Sequence, residues 1–319
     1  MHAILITNNK DLVWSEVPDP VRKDREIIID IRAAALNRAD LMQREGTYPP
    51  PPGWPDWMGL EVAGVVAEAP TDCRWQVGDR VCALLGGGGY AEAVAVPEGM
   101  VLPIPEGLSF VEAAAIPEAF ATSYLNLCIE GGMEAGDTVF IQAGASGLGM
   151  AAIQLAKRLG AKVITTVGSE KKAQFVRSLG AEVVINRKQE NIAAVLAEHP
   201  MDVAMDCVAG PNLGPCLKTM TPGGRWIVIA TLGGPASNLD MLDFFKRGVK
   251  LIGSTLRSRS SAVKAEILAR LEEELWPAFS SREIEVPIHA TVPMPRAEEA
   301  HDVLQMQKNL GKVVLTLEV

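Results

Sequence analysis

Apolar positions along the chain change rhythm once. From residue 1 to about 118 they come in short β-rich runs broken by Gly and Pro: Ala3-Ile4-Leu5-Ile6, then Glu26-Ile27-Ile28-Ile29-Asp30-Ile31, then Val62-Ala63-Gly64-Val65-Val66. This half predicts a compact antiparallel or barrel-like domain. From about residue 120 the spacing becomes strand, helix, strand, helix, the rhythm of parallel βαβ units. Asp137 to Ala143 is an apolar strand, apolar residues recur at helical spacing from Leu148 to Leu159, and Gly160 follows as a natural C-cap. Lys162 to Val167, Ala181 to Ile185, Val203 to Val208, Arg225 to Ala230 and Lys250 to Gly253 supply the next strands. Six strands in this order predict an α/β fold with a doubly wound parallel sheet.

After Thr255 the pattern predicts a long amphipathic helix from Ser261 to Phe279, another from Arg296 to Gln307, and a closing strand from Lys312 to Leu317 that returns to the first domain. With no repeat and no low-complexity linker, the second domain is read as inserted into the first. The expected division is 1–119 plus 256–319 for one and 120–255 for the other, with a ligand in the cleft between them. A chain of 319 residues, 48% hydrophobic, is long enough for two cores. The last strand of the second domain, Lys250 to Gly253, presents an apolar sheet edge, which predicts a homodimer formed by pairing two such edges.

Charge and composition narrow the function classes. Net charge is −9 with basic residues scattered, which argues against a nucleic-acid partner. No apolar run approaches the roughly 18 residues of a membrane span, and the first residues lack the features of a signal peptide, so a cytoplasmic protein without a membrane partner is expected. Cys73, Cys82, Cys128, Cys207 and Cys216 stand singly, suggesting neither a zinc knuckle nor a disulfide framework, and a reducing compartment fits.

Gly144-Ala145-Ser146-Gly147-Leu148-Gly149 lies between a strand and a helix, where a phosphate-binding turn belongs. A tight backbone there lets main-chain N–H groups and the helix N-terminus meet a pyrophosphate. Ser146 replaces the usual second glycine; a plain strand-to-helix turn is the alternative, against which stands the register of the flanking strands and helix. At the end of the next strand an NAD-type fold places an acidic residue on the ribose, whereas this chain has Gly168-Ser169-Glu170-Lys171-Lys172. Gly168 and Ser169 leave room for a 2′-phosphate, and Lys172 with Arg187 supplies charge for it, so NADPH is favoured over NADH. Lysines decorating a helix start, with Glu170 on the ribose, is the competing arrangement. Two further loops, Tyr48 followed by Pro49 to Pro52 and Gly86 to Gly89 before Tyr90, ordinarily make turns. Trp54, Trp57 and Tyr90 either fold over the cleft or pack in the core.

With these residues in view, the chain resembles the zinc-independent, zeta-crystallin-like quinone oxidoreductases of the medium-chain dehydrogenase/reductase superfamily, and in particular the tumour-suppressor-induced branch. The resemblance runs from end to end. It rests on Ala35-Leu36-Asn37-Arg38-Ala39-Asp40-Leu41-Met42-Gln43-Arg44, on Gly59-Leu60-Glu61-Val62-Ala63-Gly64, on Pro105-Glu106-Gly107-Leu108 with Ala113-Ala114-Ala115-Ile116-Pro117-Glu118, and on Phe245-Lys246-Arg247-Gly248 with Ser254-Thr255-Leu256-Arg257-Ser258-Arg259. Ser146 is usual in that branch, whereas Arg187 stands where relatives often have tyrosine.

The resemblance implies a Rossmann domain, with its doubly wound parallel sheet, inserted in a GroES-like β-rich catalytic domain, with NADPH in the cleft. By position, Asn37 and Tyr48 would face the nicotinamide, with Leu232-Gly233 and Thr255-Leu256-Arg257 opposite and Asn309 closing the pocket. Zinc-dependent relatives carry Cys at the Asn37 position and His-Glu at Leu60-Glu61, and a four-cysteine lobe absent here; His2, His199, His289 and His301 are widely separated. Reduction of an electron-poor quinone or conjugated enone by hydride from nicotinamide C4 is therefore expected. Tyr48 is the candidate hydrogen-bond donor to the acceptor oxygen, with Asn37 fixing the nicotinamide ribose or the substrate. The alternatives are a reductase of α,β-unsaturated carbonyls or enoyl thioesters and, in another class, a non-catalytic NADPH-binding crystallin-like protein.

Overall fold

A computed structural model describes residues 1–317. The chain divides into two compact units, one of residues 1–121 with the segment from Arg257 onward, the other Thr122–Leu256. The expected joins were 119/120 and 255/256, so Thr255 and Leu256 fall in the second unit and Arg257 in the first.

The first unit opens with an antiparallel hairpin of β1 (His2–Ile6) and β2 (Leu12–Glu16). Its main sheet begins with β3 (Glu26–Ala35), β4 (Glu61–Glu68), β5 (Arg80–Leu84), β6 (Ala93–Pro97) and β7 (Val101–Pro103). β3 pairs antiparallel with both β4 and β6, and register shifts at Ile28/Ile29 and Ile31/Ala33 break its alternation. Gly64 lets β3 and β4 approach closely, since a Cβ there would stand 2.0 Å from the Asp30 carbonyl oxygen. The Gly86 to Gly89 run also serves close packing rather than a bare turn: a Cβ on Gly86 would meet the Trp54 indole at 2.5 Å, and Trp57 Nε1 donates to the Gly88 oxygen at 3.1 Å. Tyr90 is fully buried, so among the alternatives for these aromatics it takes the core.

The second unit is a six-stranded parallel sheet of β8 (Thr138–Ile141), β9 (Lys162–Val167), β10 (Val183–Asn186), β11 (Met201–Asp206), β12 (Met220–Val228) and β13 (Lys250–Gly253), in the order β10-β9-β8-β11-β12-β13. Phe140, Ile164, Ile185, Leu196, Leu213 and Trp226 pack one face into a core. β12 begins five residues before the expected Arg225. Its Pro222-Gly223-Gly224 reads as a breaker in sequence, but a register shift between Met201 and Val203 of β11 absorbs the extra residues. β11 ends at Asp206, before the expected Val208, because the Asp206 carboxylate accepts from the Val208 and Ala209 N–H groups at 2.7 and 2.9 Å.

The chain then re-enters the first unit through the helix Ser261–Ser280, β14 (Ile288–Pro293), the helix Ala297–Gln305 and β15 (Lys312–Thr316). β15 lies antiparallel to β3, pairing Val314 with Ala35, and parallel to β14, completing a seven-stranded sheet in the order β14-β15-β3-β4-β5-β7 with β6 on β3. The sequence pattern does not predict β14. Among the described residues no helix is long and apolar enough to cross a membrane.

Candidate functional site

Within the second unit, several residues singled out from sequence follow the carboxyl ends of parallel strands. In a doubly wound sheet that is where ligands bind. After β8, Ala143 takes a positive φ of 56° and the chain turns into the helix Gly147–Arg158. Gly144 and Gly149 are required by contact: a Cβ would stand 2.2 Å from Thr165 Oγ1 at the first and 2.5 Å from the Ala143 oxygen at the second. Ser146 is the N-cap, its Oγ accepting from Gly149 N–H at 3.0 Å, which is a physical reason for serine in place of glycine. Ala145, Gly147 and Leu148 complete the turn and the first residues of the helix. After β12, Leu232 is half exposed and the Gly233 N–H donates to the Val208 oxygen at 2.7 Å, docking that loop on the one following β11. Thr255 is exposed and Leu256 buried just after β13.

Charge gathers after β9 and β10. Arg187 packs over Gly168, where a Cβ would lie 3.4 Å from its Nη2, and Ser169 caps the helix Glu170–Ser178. Burial pushes the Lys172 ammonium below its ordinary value, and Arg187 and Lys188 push it further. Glu170, by contrast, pairs with Arg177 of its own helix at 3.2 Å. Lys188 is a member of this cluster that the motif did not indicate.

The first unit holds a buried polar cluster. Asn37 ends the segment after β3 and opens the helix Arg38–Arg44; its backbone N–H donates to Asp40 Oδ2 at 2.7 Å, which ties down the helix start. Lys312, at the head of β15, is carried here because β15 pairs with β3. Its Nζ donates to the Leu36 oxygen at 2.7 Å, Asn37 Oδ1 at 2.8 Å and Glu61 Oε1 at 2.6 Å. Glu61 Oε1 also accepts from Asn37 Nδ2 at 2.9 Å, and Glu61 Oε2 from Glu118 N–H at 2.8 Å. Desolvation, with Glu61 adding, pushes the Glu118 carboxyl up to about 7.

Tyr48 belongs to the same unit and is held by Arg257, whose Nη1 donates to the Tyr48 carbonyl oxygen at 2.8 Å while its guanidinium carbon lies 4.9 Å from the ring centroid. Arg257 Nε and Nη2 go to the Gly86 oxygen at 3.0 Å and Gln43 Oε1 at 2.6 Å, so much of this side chain's donor capacity is spent inside the unit. Asn309 is buried and donates from Nδ2 to the Gly311 oxygen at 2.8 Å. Deeper still, Tyr90 OH donates to Asp40 Oδ2 at 3.1 Å and lies 3.4 Å from His301 Nε2.

Comparison with known proteins follows this division of labour. Residues 23–106 match the alcohol dehydrogenase GroES-like domain and residues 147–273 the zinc-binding dehydrogenase family. The chain is 30% identical over 310 residues to the quinone oxidoreductase of Sus scrofa, covering 95% of this chain and 92% of that protein. The chain belongs to the quinone oxidoreductase family. It is also 34% identical over 315 residues to a segment of the lovastatin diketide synthase of Aspergillus terreus, 12% of that much longer protein. A mycobacterial protein solved in complex with NADPH superposes with a TM-score of 0.85 at 28% identity, covering 99% of this chain and all of that one.

Membership makes the chain an NAD(P)-dependent oxidoreductase of the medium-chain type, which has both a GroES-like domain and a Rossmann-like sheet. The zinc in the second family's description does not fit the residues present. The Asn37 and Glu61 oxygens already receive the Lys312 ammonium, and among the described residues no three His, Cys, Asp or Glu side chains converge. The residues present fit a dinucleotide: Gly144 to Gly149 form a tight turn at a helix start that could take its phosphates, and Lys172, Arg187 and Lys188 gather positive charge after β9 and β10. Lys312 and Asp40 are the site residues that sequence reasoning passed over. The Gly311-Lys312-Val313-Val314 run held no chemical signal beyond a strand start, since its partners lie some 250 and more positions away.

Proposed function

We propose that the protein reduces quinones with NADPH, without zinc, by taking hydride from nicotinamide C4. The observation that carries this reading is the identity of the cation beside Asn37 and Glu61. A lysine ammonium with its three protons committed offers no Lewis acid to an alcohol, so the chemistry that remains is reduction of an acceptor already poor in electrons. A quinone is such an acceptor, and end-to-end identity with quinone oxidoreductases supports it.

The second unit holds the dinucleotide: Gly144, Ala145, Ser146, Gly147, Leu148 and Gly149 cradle the pyrophosphate, Gly168 and Ser169 admit a 2′-phosphate, and Lys172 and Arg187 bind it. Leu232, Gly233, Thr255 and Leu256 line the nicotinamide end. Bound there, the nicotinamide supplies the hydride. Tyr48 donates a hydrogen bond to the acceptor oxygen as negative charge develops on it, Asn37 positions the reacting partners, and solvent delivers the remaining proton. The working form is a cytoplasmic homodimer acting on small molecules, with neither nucleic acid nor membrane as partner.

The second reading is reduction of α,β-unsaturated carbonyls or enoyl thioesters, acceptors that are likewise poor in electrons. The deciding experiment follows NADPH and NADH oxidation by pure, chelator-treated protein with an ortho-quinone, a para-quinone, an alkenal and an enoyl-CoA. Quinone turnover with NADPH is the expected result. Turnover with the alkenal or thioester alone moves the protein to the double-bond reductases, and tight NADPH binding with no turnover to a non-catalytic, crystallin-like role.

A further inference from the structure

Asp206, the last residue of β11, is fully buried in the second unit. Its Oδ1 accepts from the Val208 and Ala209 N–H groups at 2.7 and 2.9 Å, and its Oδ2 from Trp226 Nε1 at 3.1 Å. Desolvation pushes this carboxyl above its ordinary value, while those N–H groups and the Gln142 amide favour the ionised form. Two of the donors belong to the loop that follows the strand rather than to the sheet.

That loop is strained. Ala209 takes φ 51° and ψ −129°, the first central position of a type II′ turn, which glycine prefers. An alanine keeps such a conformation only where its surroundings over-determine it. Val208 N–H shares a peptide plane with the Cys207 carbonyl, and Ala209 N–H shares one with the Val208 carbonyl. Both peptides are trans, so drawing the two N–H groups in to Asp206 turns the two carbonyls away from it. The loop after β12 docks on those carbonyls: Leu232 N–H donates to the Cys207 oxygen at 3.2 Å and Gly233 N–H to the Val208 oxygen at 2.7 Å. Gly210 lets the two loops touch, since a Cβ there would stand 2.4 Å from the Gly233 oxygen. Leu232 and Gly233 are themselves exposed, so this docking, rather than burial, keeps them in place.

We propose that Asp206 is a positioning residue for the nicotinamide end of the dinucleotide: by holding the Val208 and Ala209 N–H groups it aims the Cys207 and Val208 carbonyls at the loop after β12, and so fixes Leu232 and Gly233. This rests on the reading of Leu232 and Gly233 as residues of that end.

The test uses Asp206→Asn, Ala209→Gly and the two combined. Asparagine keeps the shape and one acceptor oxygen but sets an NH2 group among N–H donors. Calorimetric titration compares NADPH with 2′-phospho-ADP-ribose, which lacks the nicotinamide end. Asp206→Asn should bind NADPH about tenfold more weakly, roughly the worth of one hydrogen bond, and 2′-phospho-ADP-ribose within about twofold of wild type. Glycine adopts the turn without strain, so Ala209→Gly alone should stay within about twofold for both ligands and should recover at least about threefold of the NADPH loss in the combination. Equal losses with both ligands, no loss, or no recovery overturn the proposal.

A second arm needs no variant and no ligand. In wild-type apoprotein the Val208, Ala209, Leu232 and Gly233 amides should share one hydrogen-exchange protection factor to within about threefold, because the two loops open together. Leu232 and Gly233 exchanging more than about tenfold faster than Val208 and Ala209 overturns the proposal. A wild type that binds neither ligand overturns the dinucleotide reading and the positioning role with it, whereas unlinked exchange overturns the positioning role alone, so the two failures are told apart.

Discussion

Arg257 grips Tyr48 by its carbonyl oxygen and by its ring, which fixes where the phenol stands. A hydroxyl so placed is preorganised to meet developing charge. Tyr48→Phe should lower kcat by about 10–100-fold and leave the NADPH dissociation constant within about twofold, as measured by steady-state rates and fluorescence titration; a weakened affinity would make Tyr48 a cofactor residue instead. The neighbouring buried pair predicts a pH signature. Desolvation raises the Asp40 carboxyl from 3.8 to about 6, so its contribution to stability is fully present below pH 3.8 and is lost as pH rises through about 6. Burial lowers the His301 imidazole from 6.5 to about 3, so its contribution is present above pH 6.5 and is lost as pH falls towards 3. Between about pH 4 and 6 the two slopes oppose each other, each at most about 1.4 kcal/mol per pH unit. Urea unfolding of Asp40→Asn should therefore show stability falling on acidification across that window relative to wild type, and His301→Gln should show it rising. Two variants running parallel to wild type would refute the assignment.

Elements, more than single residues, place the groups proposed for the dinucleotide, because each turn after a parallel strand delivers its residues to one edge. The cations at that edge give the next prediction: Lys172→Ala and Arg187→Ala should each weaken NADPH binding by about tenfold or more and leave NADH within about twofold, since only the first carries a 2′-phosphate. Equal losses with both dinucleotides would assign the cluster to something else. This edge was legible in sequence because its elements are local: β9 and β13 run over the residues that their apolar pattern predicts, and the helix Gly147–Arg158 starts where Ser146 caps it. The polar cluster of the first unit was not. Asn37 and Glu61 could be singled out by their motifs, but their cation arrives on a strand 275 residues beyond Asn37, and β14, which flanks it, has too little apolar alternation through His289-Ala290-Thr291 to announce itself. Asp40 was hidden for a related reason, as its partners Tyr90 and Gly59 come from other loops.

At the scale of the whole molecule, β13 is the last strand of the parallel sheet, and among the described residues no strand lies along its outer side. Leu251 of this strand is 39% exposed, and Met241, Leu242 and Phe245 of the preceding helix Met241–Arg247 are each more than half exposed. An uncovered apolar edge invites either a partner or aggregation, and a two-fold pairing of β13 with its copy closes the surface without propagating. Light scattering behind a sizing column should accordingly report a dimer. Leu251→Asp, which sets like charges against each other across the two-fold axis, should shift it to a monomer. Thr255 and Leu256 follow β13 directly, but the turns after β8, β9 and β10 lie three or more strands from it, so the monomer's affinity for 2′-phospho-ADP-ribose, which lacks the nicotinamide end, should stay within about twofold of wild type. A wild-type monomer would remove the dimer. A monomeric variant that also lost this ligand would mean that pairing of the edges supports the binding edge as well.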